Sequence, residues 1–186
     1  LLATAVRFPD AMQSSKENFD DEAWKGIHAL VQEATANFDA FRDTEGATLA
    51  ADFTQRLNTI AGLEAGLDPL LEARIQRVRD RIRTNLEETI DRAALDEGRF
   101  EQEVLYYIEK MDVSEERTRL TAHIAYFREI MENDEHQGKK LGFVAQEMGR
   151  EINTLGSKAN DAELQRIVVQ MKDELEKIKE QVLNVL

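Results

Sequence analysis

Ala162-Glu-Leu-Gln-Arg-Ile-Val-Val-Gln-Met-Lys-Asp-Glu-Leu-Glu-Lys-Ile-Lys-Glu-Gln-Val-Leu-Asn-Val-Leu186 is the stretch that decides the fold. Its apolar residues Leu164, Val168, Met171, Leu175, Ile178, Val182 and Val185 follow one another at steps of four and three. That is a heptad seam, and the Glu and Lys residues beside it suit the wet flanks of a helix whose seam is covered. The seam must pack in an antiparallel hairpin within the chain or against another subunit. Working back, a helix is expected from about Lys139 to Leu155, with Asn133 to Gly138 as a polar loop before it. Leu120, Ile124, Phe127 and Met131 mark the buried stripe of a helix starting near Asp112, where Asp112 and Glu115 have capping-box spacing. Another helix should run from Arg99 to about Met111.

Further upstream, Leu71, Ile75, Val78, Ile82, Leu86 and Ile90 form one stripe, opened by Pro69 and ended or bent near Gly98. Gly62 to Pro69 reads as the preceding loop. Trp24, Ile27, Val31, Ala34, Phe38 and Phe41 make a seam that Leu49, Phe53, Leu57 and Ile60 continue, with a kink or break expected at Gly46. Trp24 is thus assigned to a core seam, and residues 1–19 to an irregular lead-in. Only Pro9 and Pro69 interrupt the backbone, and no period-2 pattern persists. The expected fold is all-α, with long antiparallel helical hairpins and a heptad-patterned C-terminal helix.

Composition narrows the chemistry. The 186 residues include no cysteine, which excludes disulfides, thiol nucleophiles and thiolate metal sites. The formal net charge of −13 argues against coating nucleic acid by overall charge, so any such contact needs a local basic patch or carboxylates bridged to phosphate by metal ions. No run is long and apolar enough to span a membrane, and no secretory signal is visible, so a cytoplasmic location is expected. Leu1 in place of Met suggests that an N-terminal portion precedes the sequence.

Two polar strips carry the candidate chemistry. At about 100° per residue, Asp112, Glu116, Arg119 and His123 fall within roughly 60° of one another. Carboxylates beside an imidazole can hold a divalent metal or form an acid–base pair. The same spacing also suits a cap and ordinary helix ion pairs. Glu147, Arg150, Glu151, Thr154 and Lys158 share a face of the next helix, opposite Leu141, Val144, Met148, Ile152 and Leu155. Carboxylates there could hold an ion while Arg150 and Lys158 meet phosphate oxygens; a salt-bridged surface is the alternative. Asn153 and Ser157 add hydrogen-bonding groups near the helix end.

Several ordered motifs resemble the YicC/YloC family: Arg99-Phe-Glu-Gln-Glu-Val, Asp112-Val-Ser-Glu-Glu with Arg119-Leu and His123, Gly138-Lys-Lys-Leu-Gly-Phe, and Gln146-Glu-Met-Gly-Arg-Glu-Ile-Asn-Thr-Leu-Gly-Ser-Lys158. The chain departs from that family's usual pattern at Gly142 and Gly149. The resemblance implies a divalent-metal-dependent endoribonuclease, with Mn²⁺ or Mg²⁺ as cofactor, RNA as substrate and self-association into a homo-oligomer, a hexamer. It also implies that this is the C-terminal two-thirds of the family's length. Residues 1–97 would be a helical middle region, an arm or clamp. Residues 98–186 would be the motif-bearing C-terminal domain, and the N-terminal domain would be absent.

On that footing Glu116, His123, Glu147 and Glu151 form the expected metal or acid–base cluster, with Arg150 beside them in catalysis. Arg119, Arg150 and Lys158 would neutralise phosphate charge. Arg74, Arg77 and Arg81 share a face in the run Arg74 to Arg83 and read as an RNA backbone track or as partners of acidic neighbours. Arg119, Asn153, Ser157 and Lys158 complete the expected RNA contacts. Tyr106, Tyr107 and Tyr126 are assigned to helix packing in preference to base stacking. A non-catalytic RNA-binding adaptor and a helical oligomerisation module are the competing functions.

Overall fold

The computed structural model describes residues 20–89, 96–133 and 137–185. Among the described residues six helices follow in order: α1 (Asp21–Ala65), α2 (Asp68–Thr89), α3 (Glu97–Lys110), α4 (Ser114–Asn133), α5 (Gly138–Lys158) and α6 (Ala162–Val182). Among the described residues there is no strand, as the absence of alternation predicts. The chain divides into two compact units, Leu1–Glu45 and Gly46–Leu186. The expected boundary at 97/98 falls within the first turn of α3, inside the second unit. The expected lead-in over 1–19 and the seam position Ile90 lie outside the described residues.

In the first unit the periodic residues are helical, but their seam is bare. Trp24 is 60% exposed and Phe41 64%, with Ile27, Val31 and Phe38 also exposed. This corrects the assignment of Trp24 to a core. Spacing determines which face is apolar, whereas burial needs a second surface, and nothing within the described part of this unit supplies one. Helix α1 runs through Gly46 without the expected break.

The second unit holds the core. Phe53, Leu57 and Ile60 of α1 join Leu120, Ile124, Phe127 and Ile130 of α4, the apolar face of α5 and the heptad residues of α6. Every seam position from Leu164 to Val182 is buried, and Val185 packs partly against them. Met131 is only half-buried, and Ile130 takes the place expected for it. Phe53 meets Phe127 edge-to-face at 5.6 Å, the geometry that aromatic quadrupoles favour. Helix α5 packs against both α4 and α6. A Cβ at Gly156 would lie 2.9 Å from Val168 Cγ1, so the bare glycine permits the α5–α6 approach. At Gly138 the backbone oxygen of Val185 would meet a Cβ at 2.5 Å.

Caps set the helix ends. Asp96 accepts hydrogen bonds from Gly98 N and Arg99 N, so Gly98 sits in the first turn of α3 and does not end α2. Asp112 accepts from the Ser114 N–H and hydroxyl, while Glu115 pairs forward with Arg119. The expected capping box is therefore not made: Asp112 holds the Ser114 N–H in place of that of Glu115. The loop before Pro69 contracts to Gly66 and Leu67. Helix α2 packs on α3 through Val78, Phe100 and Val104, with Arg83 4.8 Å above the Phe100 ring. Tyr106 and Tyr126 are exposed, contrary to their assignment to packing.

Candidate functional site

The two expected polar strips meet where α4 packs on α5. Their partners are more specific than spacing alone could indicate. Glu116 is buried at 6% exposure, and its Oε1 accepts a hydrogen bond from Lys158 Nζ at 2.7 Å. Its Oε2 is buried without a partner. One turn along, Arg119 pairs with Glu115 and lies 3.9 Å from the buried Glu151. Glu147 Oε1 is 2.8 Å from Arg150 Nη1, but the contact is not aligned as a hydrogen bond. His123 is half-buried on the same strip of α4. The result is a seam of four acids beside Lys158, Arg119 and Arg150, with buried oxygens that lack a hydrogen bond at Glu116 and Glu147.

This arrangement bears on the expected cluster of Glu116, His123, Glu147 and Glu151. Among the described residues, no three His, Asp or Glu side chains come together to hold a metal ion. Lys158 and Arg150 occupy two of the carboxylates instead. The residues present therefore do not fit a preformed divalent-metal site. Of the remaining candidates, Asn153 is exposed, and the Ser157 hydroxyl donates back to Thr154 O at 2.8 Å. Gly149 is buried against Leu175 and Lys179 of α6, so this departure from the family pattern faces helix packing.

The seam continues into a basic pocket. The backbone carbonyl of Lys158, at the end of α5, accepts a hydrogen bond from Arg74 Nη2 at 2.6 Å. Arg74 is only 4% exposed, and burial pushes its pKa below the ordinary guanidinium value. Arg77 is ion-paired with Asp161. Asp161 also caps α6, accepting from Glu163 N and Leu164 N. Burial alone would raise the Asp161 carboxyl, but the Leu164 N–H, Arg77 and Glu163 N–H hold it below the usual carboxylate range. Arg74, Arg77 and Arg81 line a pocket of about 210 Å³ with Val78, Met111, Asn160 and Asp161. Arg79 and Arg83, from the same basic run, turn instead to Glu101 and Glu97 of α3.

Sequence reading missed Asn160 and Asp161. The available signal was an Asp one residue before an apolar heptad run, the usual place of an N-cap. It also missed Arg117, which bridges Glu64 at 2.5 Å and Asp68 at 2.6 Å and ties α4 to the α1–α2 turn.

Fold and site together define an all-α protein whose ion-paired acidic seam opens into an arginine pocket. Residues 67–186 match the family described as endoribonuclease YicC-like, C-terminal, and residues 1–51 match its N-terminal region. The chain belongs to this YicC-like family. Part of the N-terminal region thus lies within residues 1–97, which sequence reading had assigned to a middle region. The chain is 32% identical over 186 residues to a probable endoribonuclease YicC of Clostridioides difficile. It is 30% identical over 183 residues to the protein of the same name in Haemophilus influenzae. These alignments cover 99% and 98% of the chain, which spans 64% and 63% of those relatives' own lengths.

Proposed function

We propose that this chain is the RNA-handling part of an endoribonuclease and that the α4–α5 seam contributes to cleaving RNA phosphodiester bonds. The observation that carries this reading is the contiguity of two features. The Glu116–Lys158 pair, with its unpaired carboxylate oxygen, is joined through the Lys158 carbonyl to a pocket of three arginines. Phosphate entering from the pocket competes with Glu116 for Lys158, which frees a carboxylate to take a proton from the attacking hydroxyl. Arg119, Arg150 and Lys158 then offset charge on the phosphorus oxygens, and His123 or Lys158 returns a proton to the departing oxygen. A 2′-hydroxyl nucleophile leaves a cyclic phosphate and spares DNA, whereas water leaves a phosphate monoester. Mn²⁺ or Mg²⁺ is the cofactor implied by the resemblance. Among the described residues the carboxylates do not form a ready ligand set for it.

Self-association belongs to the same proposal, since a large apolar stripe such as Trp24 to Phe41 suits cover by another chain. No described helix is long and apolar enough to cross a membrane. A second reading, the non-catalytic RNA-binding adaptor, is favoured by the pairing of acids with cations along the seam. Incubating labelled RNA with the protein in Mn²⁺, Mg²⁺ or EDTA separates the two. Cutting that is lost in Glu116→Gln and His123→Ala supports the seam, and binding without cutting in any condition supports the adaptor. Cutting that needs a metal would mean that the ion displaces Lys158 or Arg150.

A further inference from the structure

The arginine pocket has a charge and size that a passing RNA backbone does not require. Arg74 is almost wholly buried, yet its recorded hydrogen bond goes to a neutral carbonyl, and among the described residues no carboxylate lies within ion-pairing distance of it. Asp161 acts on Arg74 only through space and is itself ion-paired with Arg77. A cation buried without a carboxylate in direct contact is costly, and side chains so placed are normally paired or meet an anion. Arg81 is exposed at the same pocket and has no ion-pair partner among the described residues. Among the described residues Asp161 is the only acid lining the pocket, and both of its oxygens are engaged, one on α6 N–H groups and one on Arg77. Three guanidinium groups against one carboxylate leave two positive charges unmatched. A phosphate diester carries one negative charge, and its chain must leave the pocket on both the 5′ and the 3′ side. A phosphate monoester carries roughly −1.5 to −2 at neutral pH and is a chain end. The volume of about 210 Å³ is also below the roughly 300–1,000 Å³ of pockets that enclose a whole ligand. It suits a terminal group with the rest of the molecule outside.

We infer that the pocket formed by Arg74, Arg77 and Arg81 binds a phosphate monoester, the terminal phosphate of an RNA chain. The site then reads an end and sets its distance from the Glu116–Lys158 seam, where cleavage is proposed. This inference rests on the RNA reading for its ligand but not for its chemistry.

Both parts can be tested by measuring the affinity of one short RNA carrying a 5′-phosphate, a 3′-phosphate or hydroxyls at both ends. AMP and inorganic phosphate are titrated separately by calorimetry. One phosphorylated RNA should bind about tenfold more tightly than the hydroxyl form, the size of a charge-assisted hydrogen bond. Arg81→Ala should remove that preference with little change in melting temperature, because its exposed side chain makes no ion pair or hydrogen bond among the described residues. Arg77→Ala should weaken it. Binding of AMP or phosphate without RNA binding keeps the pocket and overturns the RNA reading. Equal affinity for all three RNAs, with no binding of AMP or phosphate, overturns the pocket. So does a preference that survives both arginine substitutions.

Discussion

Replacing Lys158 with Met tests whether the seam is an electrostatic unit or a surface ornament. Lys158 Nζ is 2.7 Å from Glu116 Oε1, and the Glu116 side chain is only 8% exposed. Removing one partner of a buried ion pair costs about 3–5 kcal/mol, because the other charge stays buried. The Lys158 side chain is 33% exposed, so water can approach the vacated space and the cost falls to about 2 kcal/mol. For a unit the size of Gly46–Leu186, at roughly 4 °C per kcal/mol, the melting temperature should drop by about 8 °C. Glu116→Gln removes the buried charge itself. The Glu116→Gln/Lys158→Met double variant should therefore be more stable than Lys158→Met alone, with a coupling energy of about 1–2 kcal/mol. Urea denaturation of the four proteins gives the cycle directly. The Lys158 backbone carbonyl is untouched, so Arg74 keeps its acceptor and phosphate binding should survive in all four. A loss below about 0.5 kcal/mol for Lys158→Met, or strict additivity in the cycle, would refute the reasoning.

Two glycines should respond to alanine with opposite signs. Gly62→Ala, in open space on α1, should gain up to about 1 kcal/mol from helix propensity. Gly156→Ala should lose about 1 kcal/mol net in the same urea assay, because its Cβ meets Val168. Asp161→Ala should cost about 1 kcal/mol by removing the α6 cap, yet tighten phosphate monoester binding several-fold by deleting the pocket's only acid; calorimetry and thermal melting would show the two effects moving apart. Stability should fall on acidification below about pH 4. Asp112 is held low by the Ser114 N–H and hydroxyl, Asp161 is held low despite burial, and Glu174 is held low by Lys177 and Arg56. Depressed carboxyls contribute above their unfolded pKa and lose that contribution as pH falls through the folded one, so thermal melting at pH 3, 4 and 6 gives the sign.

The legible and illegible parts of this chain differ by one physical step. Leu164 to Val182 could be read because a heptad seam in a short hairpin has a neighbour at hand in α5. Trp24 to Phe41 has the same kind of spacing, yet it is exposed, because periodicity describes one surface and says nothing of the second. The site divides in the same way. Spacing placed Glu116 with Arg119 and His123, and Glu147 with Arg150 and Glu151, since those relations lie within single helices. Whether the two strips assemble a metal site or neutralise each other depends on the register between α4 and α5. That register is set by Leu120, Ile124, Leu141, Met148 and their neighbours in the core. It brings Lys158 to Glu116 across 42 residues and leaves three acids facing cations. The basic run divides too: Arg79 and Arg83 meet α3, while Arg74, Arg77 and Arg81 surround a pocket whose acid, Asp161, belongs to another helix. Charge alternation along α2 could not distinguish these two sets, because the distinction lies in what stands opposite. A cation that acts at this seam competes with the ammonium of Lys158 and the guanidinium of Arg150 for the Glu116 and Glu147 carboxylates, which makes Lys158 and Arg150 as decisive for its chemistry as the carboxylates.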